Sequence, residues 1–185
     1  EFTQRLYVNF HRPTSLLLSL PGFDRAPHPV LQMVTPRKVL EVFPDHPHEG
    51  ECVLPKSLAG TFDLGGQTLK EWPTSIFLSP RPEMAAFSMS HGDGFESGEN
   101  DKFGLTPKAF GAIAAYNGQR AGVGRVVTDS TWHHFININL DGTGSGLSAL
   151  RPGGADSEDL IRIRQYFVNL ATWLMPSKVR LRGER

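Results

Sequence analysis

The chain has 185 residues, 39% of them hydrophobic, and its 19 Lys+Arg are balanced by 19 Asp+Glu. That length supports one domain with a sizeable core, and a net charge of zero lacks the electrostatic footprint of a nucleic-acid binder. A lone cysteine, Cys52, allows neither an internal disulfide framework nor a Cys-rich zinc module, which fits a reducing, cytoplasmic setting.

Residues 1–38 carry Pro13, Pro21, Pro27, Pro29 and Pro36, too closely spaced for a long helix. They predict an irregular segment that wraps over a surface, apart from a short apolar run at Leu16–Leu18. Its amino end has no signal-peptide pattern, and Glu1-Phe2 is an unnatural start, as in a processed or trimmed chain. The remainder of a larger chain is therefore an expected partner. No apolar run approaches the roughly 18 residues of a membrane span, so no membrane partner is expected.

Residues 39–176 are expected to form the α/β domain. Val39 to Phe43 predicts a strand. Short extended pieces are expected at Cys52–Pro55 and Gly60–Leu64, with a turn at Gly65-Gly66, and further ones at Ser75–Leu78 and Met84–Met89. From Ser90 to Gly104 the composition is that of a loop, and Ala109 to Tyr116 is only mildly apolar. Gly122 to Asp129 predicts a second strand, rich in β-branched residues. Leu160, Ile163, Phe167, Leu170 and Leu174 recur at steps of three and four and predict a helix. Asp156 or Ser157 would cap it, Glu158 and Asp159 suit its positive end, and Pro176 stops it. Residues 177–185 read as a basic, solvated tail.

The richest chemistry follows the first strand. Asp45, His46, His48, Glu49 and Glu51 fall within seven residues. His46 and His48 lie two apart, so an extended backbone would aim both imidazoles the same way. Two histidines with a carboxylate suit zinc or non-haem iron. Pro47 interrupts regular alternation, and the same residues also suit a polar loop whose carboxylates accept from backbone N–H groups.

A second cluster, Asp129-Ser130-Thr131-Trp132-His133-His134, follows the second strand. Ser130 with His133 or His134 suggests a nucleophile and base, but the Gly-x-Ser-x-Gly elbow is missing. Asp129 and Ser130 serve equally well as helix caps. Trp132 suits core packing, a pocket wall or a sugar platform. His91, Asp93 and Glu96 could bind a divalent cation, although their spacing is not that of a calcium loop and a surface loop explains them as well. Gly122-Val123-Gly124 precedes a strand and lacks a third glycine, which gives nucleotide binding no support.

Taken together, His46-Pro47, Gly122 to Val127, His133 or His134, and Leu170-Ala171-Thr172-Trp173-Leu174 give the chain a family likeness over roughly residues 39–175. It resembles the C-terminal half of class I glutamine amidotransferase-like domains, in the trehalose-utilisation branch. Pro44 to Glu51 also resembles the Pro-Asp-His-x-His-Glu-Gly-Glu signature of a group of uncharacterised bacterial proteins. The likeness implies a flavodoxin-like three-layer sandwich, in part or whole. Glutaminase activity would need a cysteine on a sharp strand-to-helix turn, with a histidine and a glutamate two residues beyond it. Cys52 has no such elbow, and His46 is followed at that spacing by His48.

The leading expectation is an enzyme-like domain, a metal-assisted hydrolase without glutaminase activity. Asp45, Glu49, Asp129 and His133 would be catalytic. His46, His48 and His134 would hold a divalent metal such as zinc, whose bound water a carboxylate could deprotonate. The alternative is a non-catalytic ligand- or carbohydrate-binding module, with Trp72, Trp132 and Tyr116 against a small-molecule or sugar-like ligand. A third reading is a scaffold kept for assembly, marked by apolar surface along a sheet edge.

Overall fold

The structure, a computed structural model, describes residues 3–5, 7–8, 10–11, 26–33, 39–44, 50–75, 79–90, 108–130, 135, 140–141 and 150–176. Its strands are β1 (Thr3–Arg5), β2 (Tyr7–Val8), β3 (Phe10–His11), β4 (Ala26–Pro27) and β5 (Val42–Pro44). There follow β6 (Thr61–Leu64), β7 (Gln67–Lys70), β8 (Glu83–Ser90), β9 (Lys108–Asn117) and β10 (Arg125–Asp129). One long helix, α1 (Glu158–Leu174), closes the described chain.

The principal sheet has the order β10-β9-β8-β2, and each neighbour is antiparallel. β1 with β5, β3 with β4, and β6 with β7 form antiparallel pairs of their own. Mixed helix and strand content is as expected, but every pairing among the described residues is antiparallel. The parallel crossovers of a flavodoxin-like sandwich are not among them.

β9 lies at the centre, although its alanines and Gly111 are poor strand formers. Pairing on both edges overrides that weak propensity, and its small residues Ala112 and Ala115 are buried in the core. Two compensating irregularities mark the β8–β9 ladder. Ala85 is an extra residue in β8, and Ala112 is an extra residue in β9.

Of the two expected caps of helix α1, Ser157 serves, its Oγ accepting from Leu160 N–H at 3.1 Å. Arg162 pairs with Glu158 and Asp159 in the first turn. Its buried face is rotated from the expected one. Leu160 and Ile163 are buried with Tyr166 and Trp173, Phe167 and Leu170 are half-buried, and Leu174 is 40% exposed. Aliphatic periodicity alone underweights the two large rings, which bury more area each.

The proline-rich segment also departs from its surface reading. The short 3₁₀ turn Pro29–Leu31 places Val30 and Leu31 wholly inside the core. Prolines hold the turn's shape, His28 Nδ1 accepts from Val30 N–H at 3.3 Å, and Asn169 of α1 donates to Gln32 O at 2.5 Å. The first predicted strand starts late, at Val42, with Val39 bridged to Gln32. The second starts at Arg125, after a 3₁₀ turn at Gly118–Ala121 that ends on the left-handed Gly122.

Arg125 locks the sheet to the helix end. Its Nη1 donates to Trp173 O at 2.5 Å, its Nε donates to Asn117 Oδ1 at 3.1 Å, and its guanidinium lies 5.0 Å from the Trp173 ring centre. A cation there complements the helix dipole and the indole face together. Among the described residues no helix is long and apolar enough to cross a membrane.

Candidate functional site

β10 sorts its side chains by alternation. Val126 and Thr128 turn to the outer face of the sheet, while Val127 and Asp129 turn towards α1. Asp129 ends the strand, with its carboxylate close enough to the Tyr166 phenol of α1 for its charge to act on it. The Tyr166 hydroxyl and Asp129 Oδ2 are both shut off from solvent. Burial pushes the Tyr166 phenol well above its ordinary range, and the Asp129 charge pushes it further. Phe43, the last apolar residue before the first histidine cluster, stands edge-on to Tyr166 with ring centres 4.9 Å apart.

Beside them lies Cys52, which follows the same cluster. Its N–H donates to Gly111 O at 2.9 Å, and its Sγ is 3.6 Å from Thr128 Oγ1 and 3.6 Å from Ala112 O. Gly111 is required there, since a Cβ would stand 2.3 Å from Cys52 O and 2.4 Å from Met84 Cε. Burial raises the Cys52 pKa, the hydrogen bond to Thr128 opposes the rise, and the Asp129 charge adds to it. A thiol kept neutral is a poor nucleophile.

The β9 bulge explains how two remote stretches meet. Ser130 N–H donates to Ala112 O at 2.9 Å, next to the carbonyl that receives Cys52. Consecutive carbonyls of a regular strand point to opposite edges, and the extra residue at Ala112 lets both accept donors from outside β8. Ser130 is buried and its hydroxyl has no hydrogen-bond partner, so it is not an exposed nucleophile.

On the outer face a groove of about 990 Å³ runs between the sheet and the β6–β7 hairpin. Phe62, Leu69, Trp72, Tyr116 and Val126 line it with Thr128. Trp72 and Tyr116 meet edge to face at 5.1 Å, and Tyr116 Oη donates to Pro73 O at 3.4 Å.

Of the expected site residues, Asp129 is thus positioned, and Trp72 and Tyr116 lie together in the groove. Asp45, His46, His48, Glu49, His133 and His134 lie outside the described residues, as do Trp132, His91, Asp93 and Glu96. Among the described residues, no three His, Cys, Asp or Glu side chains gather to hold a metal. Sequence reasoning missed Thr128 and Tyr166. Tyr166 carried a usable signal, a phenol on the apolar face of an amphipathic helix. No family model, curated protein or solved structure matches the chain.

Proposed function

We propose that the chain carries a hydrolase site of the amidotransferase-like superfamily, without glutaminase activity, where β10 leaves the sheet. The observation that carries this reading is the pair of 2.9 Å bonds at the β9 bulge, Cys52 to Gly111 and Ser130 to Ala112. They fasten the ends of both histidine-bearing segments to neighbouring carbonyls. An extended residue spans at most about 3.6 Å. His46 is two residues from Pro44, His48 two from Gly50, and His133 three from Ser130. Those short tethers support a common site beside Asp129.

In this reading His46, His48 and His134 hold a divalent cation such as zinc, which when bound makes water acidic enough to attack at neutral pH. Asp45, Glu49 and His133 handle the proton. Asp129, at the strand end beside Tyr166, orients a histidine. The neutral Cys52 thiol supports the absence of glutaminase chemistry. A flavodoxin-like sandwich, a cytoplasmic setting and a small-molecule or sugar-like substrate belong to the same proposal. Elemental analysis of tag-free protein is expected to find about one equivalent of metal, lost in His46→Ala and His134→Ala. Sub-stoichiometric metal, with no gain from added zinc, iron or manganese, ends the metal version.

The apolar groove favours a second reading, a ligand- or carbohydrate-binding module built on Trp72 and Tyr116. Tryptophan fluorescence titrated with oligosaccharides tests it. A response that survives Trp72→Ala would remove the groove from the account.

A further inference from the structure

We infer that the groove on the outer face of the principal sheet takes an uncharged, mainly apolar small molecule, the size of a few linked rings, and not a sugar. This rests on the groove being a ligand site, the second reading above, and names the chemistry that fits it.

The hollow comes from the size of one residue. Between β9 and β10, Val126 lies opposite Tyr116 and Thr128 opposite Ala114, and cross-strand partners share a face of the sheet. Ala114 is half-buried and offers a single methyl where Tyr116, Val126 and Thr128 stand taller around it. The β6–β7 hairpin closes the opposite wall with Phe62 and Leu69, which face each other across its strands. The volume of about 990 Å³ is at the upper end of the roughly 300–1,000 Å³ of sites for drug-sized ligands.

The charges that border the groove turn away from it. With Phe62 and Leu69 directed inward, strand alternation puts Thr61 with Lys70, and Asp63 with Thr68, on the far side of the hairpin. Thr68 Oγ1 donates to Asp63 Oδ1 there at 2.7 Å. Glu71 lies across Gly60, where a Cβ would meet its carboxylate. The polar groups of the groove are few and mostly committed. Tyr116 Oη donates to Pro73 O, Thr128 Oγ1 stands 3.6 Å from Cys52 Sγ, and the Trp72 indole N–H is closed off from solvent. A sugar loses a water hydrogen bond at each hydroxyl it buries and finds too few replacements here. A charged ligand finds no countercharge. An apolar ring system instead covers Phe62, Leu69 and Val126, which stay exposed without it.

Two fluorescent probes that differ by one charge test this on the full chain: neutral phenylnaphthylamine, and anilinonaphthalene sulfonate, the same rings with a sulfonate added. The expected result is saturable binding of the neutral probe at about one equivalent per chain, at least ~10-fold tighter than the sulfonate. Ala114→Phe fills the floor of the groove and should weaken the neutral probe at least ~10-fold. Val126→Lys sets an ammonium on the wall at an exposed position, and should narrow or reverse the preference between the probes. Oligosaccharides that bind where the neutral probe does not overturn the apolar class and leave the groove as a ligand site. No saturable binding of probe or oligosaccharide overturns the class and the ligand reading together. Sulfonate binding as tight as the neutral probe's, or a folded Ala114→Phe that binds like wild type, also overturns the class. If that variant does not fold, an unchanged preference in Val126→Lys does so. Neutral-probe binding that falls as the protein is concentrated from about 1 to 100 μM hands the groove to a second copy of this chain, and overturns it too.

Discussion

The two faces of the principal sheet hold similar residues under opposite conditions. Towards α1, Val30, Leu31, Phe43, Ile113, Leu160, Ile163 and Tyr166 are wholly buried. On the other side Val53, Leu54, Phe62, Leu64, Leu69 and Val126 remain exposed. Apolar identity therefore does not decide burial here; a covering layer does. The helix side holds the fold together, and the groove side presents apolar surface to solvent. Asp129 sits between them, its strand forming one wall of the groove and its carboxylate turned into the packed side.

The largest effect should come from the packed face. Phe43→Ala empties a site between β5 and α1 and removes the edge contact to Tyr166, at a cost of about 3–5 kcal/mol. Urea unfolding measures it, and a loss below about 1 kcal/mol would mean that the packed face is not where stability resides.

Gly111→Val tests the junction. The new Cβ would collide with the Cys52 carbonyl, a backbone atom that cannot swing away, so a loss of about 1–3 kcal/mol is expected. If metal binding falls with it while the helix signal persists, the β9 bulge is what gathers the proposed site. Intact metal binding in that variant would detach the bulge from function.

Tyr166→Phe keeps the ring and removes a buried hydroxyl that has no hydrogen-bond partner among the described residues, so urea unfolding should show a change of no more than about 1 kcal/mol. The pH dependence has a definite sign. The fold raises the pKa of Cys52 and Tyr166, so the unfolded chain ionises first as pH rises. Their contribution is fully present below pH 9.0, the ordinary thiol value, and is lost as pH climbs past 9.0 and then 10.0. Melting temperature should fall between pH 8 and about 10.5, and fall less in Cys52→Ala and Tyr166→Phe. Equal slopes in all three proteins would remove the alkaline contribution of both groups.

How much of this was legible in the sequence follows from the range of the forces involved. The helix α1, its Ser157 cap and the Gly65-Gly66 turn depend on neighbours within a few residues, and all are as predicted. β9 was not legible as a strand, because its alanines gain their place only from β8 and β10 on either side. Val30 and Leu31 were hidden among prolines that shape a buried turn instead of a surface strap. Asp129 was legible by its position at a strand end. The Cys52–Gly111 bond and the Tyr166–Asp129 pair join segments tens of residues apart, and no periodicity reports such contacts.

The smallest effect should fall on the exposed face, and it is the one that sharpens the contrast most. Phe62 and Leu69 oppose each other in the β6–β7 hairpin, and Phe62 remains 48% exposed. A cross-strand pair of this kind contributes about 0.2–1 kcal/mol, and an exposed truncation typically stays within about 0.5 kcal/mol. Phe62→Ala should therefore leave the unfolding midpoint almost unmoved. If the groove recognises a ligand, the same substitution should still weaken binding, because it removes a wall of the cavity without touching the core. A large loss of stability would instead mean that the hairpin is covered in solution, which would make the groove an interior surface and withdraw it as a ligand site.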